Sequence, residues 1–503
     1  MTRDILAWRS RDASKAPPLL KYRSSYSFIL GTVSIAVFTD IFLYGIIVPV
    51  IPFALTTRVG VAEADVQHWV SVLIAVYGAA LLGASPICGY VADHTSSRRL
   101  PLLIGLLALL GSTLLLCLGT TLALLIIGRL LQGFSAAVVW TVGLALLADT
   151  VDHEMIGQAM GYVSMSMSVA VLVAPLLGGV VYARAGYYSV FFMAFGLIVL
   201  DIILRVVLVE KKIAKQWVPA EPETSPPSPS KTLSEKATGP QTTMDQPEHT
   251  PSTASAPESS APPLTIFPTK RQLPPVFTLL GSRRLLAALF CSLIQSTLLT
   301  AWDAVLPLYV HRLFGWGSTG GGLIFLPLIL PSFVAPLIGY WSDKRGPRVP
   351  TTLGFLLAVP FLVAMRAVNH GGIDQIVLLC ALLSCLGVAL SMAMTPLLAE
   401  ITYIINVKEK SHPGVFGRRG AYATAYGLFN TAFAGGMLVG PIWGGFVTQG
   451  SGWKTMGWTL AVLALVGAGV AALLIGGWVG RKSAMEVEAV DGGSDGRKEE
   501  GEV

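Results

Sequence analysis

Ionisable residues lie within long apolar stretches of this 503-residue chain, among them Asp40, Asp303, Glu400 and Arg129. Ionisable side chains are costly in such surroundings and usually have a function there. A buried carboxyl group can take up a neutralising proton and release it elsewhere, and a fixed guanidinium can compete for it or hold it ionised. The chemistry that these residues indicate is therefore reversible protonation, with Asp40 as the principal proton site and Asp303 as a second proton or cation site.

Each of these residues also has a structural interpretation. Asp40 could form a static ion pair or a capping interaction. Glu400 follows Thr395-Pro396, a helix break that could open backbone groups to a cavity. Arg129 could instead extend to the membrane interface, because it lies about eight residues from the start of its apolar stretch.

The composition removes several other classes of protein. Hydrophobic residues make up 53% of the chain and charged residues only 13%, which argues against a nucleic-acid binder and against a cytosolic enzyme. There is no HxxxH pair, Cys/His cluster, phosphate-binding loop or catalytic constellation, so we expect no metal site, no cofactor other than a proton gradient, and no enzymatic activity.

Apolar stretches of about 20 residues, the length needed to cross a bilayer, recur along the chain. They predict an all-α membrane protein with twelve transmembrane helices in two six-helix halves. The predicted spans are 27–55, 68–92, 100–119, 121–147, 155–183, 187–209, 284–311, 318–341, 350–368, 374–405, 421–448 and 455–480.

The remaining segments are polar. Residues 1–26 form an N-terminal tail, 27–209 and 284–480 form the two halves, and 481–503 form a C-terminal tail. Residues 210–283 hold 14 of the 31 prolines and are predicted to be a disordered linker, either a plain tether or a phosphorylated regulatory loop. If both termini are cytoplasmic, 28 Lys and Arg residues fall in cytoplasmic segments and five in outer ones, which supports that orientation.

Three motifs occur once in each half, at nearly the same separation. Gly89, Asp93 and Arg98 after the second span correspond to Gly339, Asp343, Lys344 and Arg345 after the eighth. Pro175, Gly178 and Gly179 in the fifth span correspond to Gly440, Pro441, Gly444 and Gly445 in the eleventh. Asp40 corresponds to Asp303, 263 residues later. These pairs predict that the halves arose by duplication.

The loop motifs, the Arg129-Leu-Leu-Gln132-Gly133 segment and the Gly-Pro segment resemble the major facilitator superfamily, specifically its proton-coupled antiporters. Asp40 with Val48-Pro49-Val50-Ile51-Pro52, and Trp302-Asp303 with Pro307, are similar to the vesicular amine transporter branch and its fungal drug-efflux relatives. The resemblance implies proton coupling by Asp40, Asp303, Arg129 and Glu400, gating by the loop motifs, and an antiporter motif in the fifth and eleventh spans. The residues proposed for a substrate cavity are Tyr77, Gln132, Trp140, Trp302 and Asn430, of which Tyr77 replaces a lysine of the relatives and Asn430 an aspartate.

The sequence thus predicts a secondary active transporter that exchanges protons for an organic small molecule, such as a drug, toxin or secondary metabolite, by alternating access. The alternatives are a proton-independent facilitator and a non-transporting membrane receptor of the same fold. The expected partners are the substrate, protons and the lipid bilayer, with no nucleic acid, and the expected state is a monomer. The expected location is the plasma membrane or a vacuolar or vesicular membrane.

Overall fold

The computed structural model describes residues 18–94, 98–151, 156–214, 217, 279–411 and 422–476. Twelve helices in this part of the chain are long and apolar enough to cross a membrane, which confirms the predicted fold class. We label their spanning portions α1 to α12: Tyr26–Ile47, Glu63–Val91, Arg99–Leu118, Leu122–Leu147, Gly161–Ala185, Tyr187–Val207, Arg283–Phe314, Ser318–Ser342, Arg348–Ala367, Ile373–Ile405, Gly427–Ser451 and Trp453–Leu474.

The first predicted span is longer than the helix that forms. Helix α1 ends at Ile47 rather than near residue 55, and a turn carries the chain into a short helix, Ile51–Ala54, and a π-helical turn, Leu55–Val59. Two prolines explain the break, because Pro49 and Pro52 lack the N–H that a continuous helix requires. Gly60 then takes a left-handed conformation (φ 76°) that ends the segment.

The start of the predicted linker is folded. Residues Lys211–Ala214 form one helical turn, and the Glu210 carboxylate accepts a hydrogen bond of 3.0 Å from the backbone N–H of Arg99. The Lys211 ammonium donates to the carbonyl of Thr150, 3.3 Å away. The linker therefore begins attached to the first half. Three segments lie outside the described residues: residues 1–17 of the predicted N-terminal tail, residues 218–278 of the predicted linker, and residues 477–503, which include the predicted C-terminal tail.

The helices pack in a pattern that repeats between the two halves. Within the first half α1 packs along α5, and within the second half α7 packs along α11. Between the halves α2 packs along α11, and α5 packs along the beginning of α8. Since α2 and α8 are equivalent in the repeat, as are α5 and α11, the two contacts between halves are copies of one contact.

The paired glycines account for this pattern. A side chain at Gly178 would overlap the backbone of Ile46 in α1, whereas one at Gly179 would overlap Ser318 in α8. In the second half, Gly444 faces α7 in the same way and Gly445 faces Ser71 in α2. The first glycine of each pair therefore permits close packing within a half, and the second permits close packing across the halves.

Hydrogen bonds between the halves lie mainly towards the predicted outer end. The Gln67 amide donates to the carbonyl of Ala304 (2.9 Å), and the Ser318 hydroxyl donates to the carbonyl of Gly179 (3.1 Å). The ring of Phe53, which follows α1, meets the ring of His311 near the end of α7 edge-on at 5.1 Å. These contacts hold the two halves together at that end.

Candidate functional site

Asp40 is fully buried in the middle of α1, as its sequence position predicts. It is the fifteenth residue of that helix, about 21 Å from its start at 1.5 Å per residue. The Tyr77 hydroxyl of α2 donates to its Oδ2 over 3.5 Å, and the side chain of Trp140 faces the same carboxyl group. Trp140 lies in a π-helical turn of α4, Val139–Gly143, an irregularity that is frequent at functional sites. Asp40 Oδ1 has no hydrogen-bond partner among the described residues.

Asp303, in the outer part of α7, is joined to the other half of the molecule. Its Oδ2 accepts a 2.8 Å hydrogen bond from the hydroxyl of Tyr44, one turn beyond Asp40 in α1. This bond crosses the boundary between the halves and has an ionisable acceptor. Its strength therefore depends on the charge of Asp303, because hydrogen bonds to a charged group are stronger than neutral ones.

The two tyrosines bring the acids of both halves into one cluster. The rings of Tyr44 and Tyr77 are in contact, with centroids 4.8 Å apart and planes tilted by 43°. The order of groups is Asp40, Tyr77, Tyr44, Asp303, so the two acids lie at the ends of one continuous chain of contacts. We call these four residues and Arg129 the coupling cluster.

Arg129 completes the cluster from α4. It is fully buried, its guanidinium carbon lies 5.5 Å from the centre of the Tyr44 ring, and its Nη1 donates to Gln132 Oε1 at 2.8 Å. The side chain does not extend to the membrane interface, so the interfacial alternative is wrong. Its Nε and Nη2 have no hydrogen-bond partner among the residues that the structure describes.

The side chains of Glu400 and Trp302 have their partners outside the coupling cluster. The Glu400 carboxylate is fully buried and forms a two-pronged ion pair with Arg284 at the start of α7, and it also accepts from the backbone N–H of Gly476. It thus ties α7, α10 and the end of α12 together at the predicted cytoplasmic end. Trp302 packs edge-on against Trp453 of α12 at 5.6 Å, inside the second half. These contacts do not support the predicted roles in proton coupling and in the substrate cavity.

Asn430 lies at the seam between the halves, where its amide donates to the hydroxyl of Ser85 over 3.2 Å. This bond ties α11 to α2 on the predicted cytoplasmic side of the coupling cluster. Pro175 of the antiporter motif is buried where α5 meets α8, because a side chain at Gly322 would overlap its carbonyl. Gly440 packs equally closely on α7.

The loop motifs are described in part. Arg98 forms an ion pair of 3.2 Å with Asp149 at the end of the α4 helix, and Lys344 lies 4.3 Å from the centre of the Tyr340 ring. Arg345 is exposed, and Gly89 and Gly339 have room around their Cα atoms. The side chains of Asp93 and Asp343 lie outside the described residues, so their gating role stays a prediction.

Sequence reasoning missed Tyr44 and Asp149. Tyr44 lies four residues after Asp40, which places both on one face of a helix, so an inspection of that face would have found it. Asp149 begins an acidic run after the fourth span, Asp149-Thr-Val-Asp152, and Arg98 and Arg99 form a basic pair after the second span. Both loops are predicted to be cytoplasmic, so their opposite charges could have predicted this ion pair. Among the described residues no group of three or more His, Cys, Asp or Glu side chains could hold a metal ion.

Twelve membrane-spanning helices in two repeated halves, with ionisable residues gathered where the halves meet, define a membrane transporter for small molecules. The chain belongs to the Major Facilitator Superfamily, whose family model matches residues 33–412. This confirms the family named from the sequence motifs, and the membership in a transporter family is consistent with the prediction that the protein is not an enzyme.

Known proteins similar to the chain are transporters. An uncharacterized MFS-type transporter of Schizosaccharomyces pombe is 35% identical over 434 residues, covering 85% of this chain and 91% of the relative. The MFS-type transporter ppzB of Metarhizium rileyi is 32% identical over 467 residues, covering 91% of this chain and 96% of the relative. The vesicular acetylcholine transporter of Torpedo marmorata is 31% identical over 218 residues, covering 37% and 42%.

A solved structure shares the fold. The human organic anion transporter MFSD10 superposes with a TM-score of 0.55 over 91% of this chain and 100% of that one, at 13% sequence identity. At that identity the likeness concerns the fold alone. It agrees with the twelve-helix arrangement described above.

Proposed function

We propose that the protein is a proton-coupled antiporter that moves an organic small molecule out of the cytoplasm by alternating access. The observation that carries this proposal is the hydrogen bond from Tyr44 to Asp303, which joins the two halves through an ionisable group. A proton bound by Asp303 removes the negative charge that strengthens this bond. A substrate cation at Asp303 would weaken the bond in the same way.

Competition of this kind couples the two solutes. With Asp303 ionised, the bond from Tyr44 helps to hold the predicted outer end closed, together with the contacts of Gln67 and Ser318. Neutralising Asp303 weakens the bond, so the halves can separate at that end. Because a proton and a substrate cation compete for one carboxylate, binding of either favours release of the other.

Asp40 supplies a second proton-binding group on the other side of the tyrosine pair. Its carboxyl is buried, receives one long hydrogen bond and has one oxygen unpartnered among the described residues, so a neutralising proton is well accommodated there. Arg129 places a fixed positive charge beside the ring of Tyr44. We assign Asp40 and Asp303 to proton coupling and Arg129 to control of their charge.

The proposed cargo is an amphipathic organic cation, such as a drug, toxin or secondary metabolite. Two acids beside aromatic side chains suit a positively charged group with an apolar body. Several relatives are named for acetylcholine, which is such a cation. The excess of Lys and Arg in the predicted cytoplasmic loops orients the chain in the membrane. A proton gradient directed into the cytoplasm would then drive the exchanged cation towards the cell exterior or an organelle lumen.

The test uses purified protein in liposomes with ethidium as the probe cation. An inside-acidic pH gradient is expected to drive ethidium accumulation by the wild type. Asp40→Asn is expected to lower the gradient-driven accumulation by about tenfold or more. A tenfold loss corresponds to one lost charged interaction of about 1.4 kcal/mol. Asp374→Asn is the matched control, because Asp374 is an exposed carboxylate outside the cluster.

Two results would contradict the proposal. If the wild type equilibrates ethidium at the same rate and to the same level with and without a gradient, the protein is a facilitator. If Asp40→Asn keeps full gradient dependence, Asp40 is not the proton site. A panel of other organic cations guards against a poor choice of probe.

A further inference from the structure

A small cavity lies within the first half, apart from the seam between the halves. It measures about 20 Å³ and is bounded by the end of α1 and by α2, α3, α4 and α6. That volume is close to what one water molecule or one small ion needs. Its lining is apolar except for two residues, Arg129 and Tyr187, and includes Ile47, Val50, Ile51, Ala54, Leu55, Leu73, Leu116, Leu125 and Phe191.

Arg129 is a buried cation whose charge is not balanced by a direct ion pair. Its side chain is fully buried, and among the described residues it makes a hydrogen bond only to the neutral amide of Gln132. Its Nε and Nη2 remain unpartnered within the described part of the chain. A buried guanidinium without a direct ion pair is unfavourable inside a protein, and a bound anion would relieve that cost.

Among the lining side chains, Arg129 alone has protons left to donate into the cavity. A guanidinium has no acceptor atom, and the proton of the Tyr187 hydroxyl is already donated to the carbonyl of Leu116. A water molecule could accept from Arg129 but would leave its charge unbalanced. A monovalent anion needs donors alone and also balances the charge of Arg129.

We propose that this cavity binds chloride, held by the Nε and Nη2 groups of Arg129. A second guanidinium, that of Arg58, lies near the cavity but outside its lining, with its Cζ 4.2 Å from the centre of the Tyr187 ring. The walls of aliphatic and aromatic side chains exclude larger and more hydrated anions. Arg129 also belongs to the coupling cluster, but the test of this site needs no transported solute and no gradient.

The test measures anion-dependent stability of the purified protein without any substrate or gradient. Thermal unfolding is followed by tryptophan fluorescence in sodium chloride, bromide or gluconate at equal ionic strength. Chloride and bromide are expected to raise the melting temperature by about 3 °C in a saturable manner up to about 150 mM, whereas gluconate is too large to enter.

Two variants locate the effect. Arg129→Gln removes the donors, and Ala54→Leu fills the cavity without touching Arg129, so both are expected to abolish the halide response. Ala123→Leu is the matched control, because Ala123 is exposed on α4 and its variant should respond like the wild type. If Arg129→Gln fails to fold, Ala54→Leu decides the question.

Several results would overturn the proposal. An equal rise in gluconate would reveal a general salt effect. A halide response that survives in Ala54→Leu would place the anion elsewhere. In crystals grown with bromide, an anomalous difference peak is expected within hydrogen-bond reach of Arg129 Nε and Nη2, and its absence would refute the site. None of these readouts depends on transport, so failure of the antiport proposal and failure of this one are distinguishable.

Discussion

Replacing Tyr44 by phenylalanine tests the coupling cluster most directly. The substitution keeps the ring that contacts Tyr77 and removes only the hydroxyl that donates to Asp303 across the halves, over 2.8 Å. A hydrogen bond to a charged group contributes about 1.5 to 3 kcal/mol. Because about 1.4 kcal/mol corresponds to a factor of ten, the ratio of outer-closed to outer-open molecules should fall by about 10- to 100-fold.

The populations can be measured by double electron–electron resonance. Spin labels at Ala64 and Lys454, two exposed positions at the predicted outer end of opposite halves, report the separation of that end. Exposed Cys385 is first replaced by serine so that it takes no label. Tyr44→Phe should show a longer-distance population that the wild type lacks or has only weakly.

Two comparisons make the result specific. Tyr309→Phe removes a hydroxyl that donates to the Val368 carbonyl within the second half, so it should leave the distances unchanged. In an Asp303→Asn background the charged acceptor is already absent. Adding Tyr44→Phe should then change the outer-open population much less than it does in the wild type. Distances in Tyr44→Phe that match those of Tyr309→Phe would refute the role given to the bond.

Two further predictions concern residues outside the cluster. Glu400→Gln should lower the free energy of unfolding by about 3 kcal/mol, because it breaks a buried ion pair. The pH dependence of transport should persist in this variant. Unchanged thermal stability together with altered pH dependence would instead support Glu400 as a proton site. Gly322→Ala places a methyl group against the Pro175 carbonyl and should raise the outer-open population in the same resonance assay, whereas Gly317→Ala, with open space around it, should not.

The sequence was sufficient to predict the helices and their repeat. Length and apolarity determine whether a segment can span a membrane, and these properties are local, so the twelve spans were confirmed. The boundary errors have local causes too. The first span was extended through Pro49 and Pro52 because its apolar composition continues there, although the prolines end the helix at Ile47.

The site was harder to predict because it depends on contacts between distant segments. Asp40, Asp303 and Arg129 could be identified singly from the cost of burying charge. The partnership of Tyr44 with Asp303 spans 259 residues of chain, and no spacing rule reaches across two halves. Glu400 shows the opposite limitation, since a buried acid with a function and a buried acid with a structural partner look alike until Arg284 is seen beside it.

The glycines at the seam also determine which halves are compatible with each other. Gly78 packs against the backbone of Met437 and Leu438, Gly445 packs against Ser71, and Gly179 packs against Ser318. Each contact involves residues contributed by both halves, so neither half alone specifies it. A chimera that joins the first half of this chain to the second half of a relative should therefore assemble only if the relative has small residues at the positions of Ser318 and Gly445. Recombination between relatives is thereby restricted by a few backbone contacts, while the lipid-facing surfaces remain free to diverge.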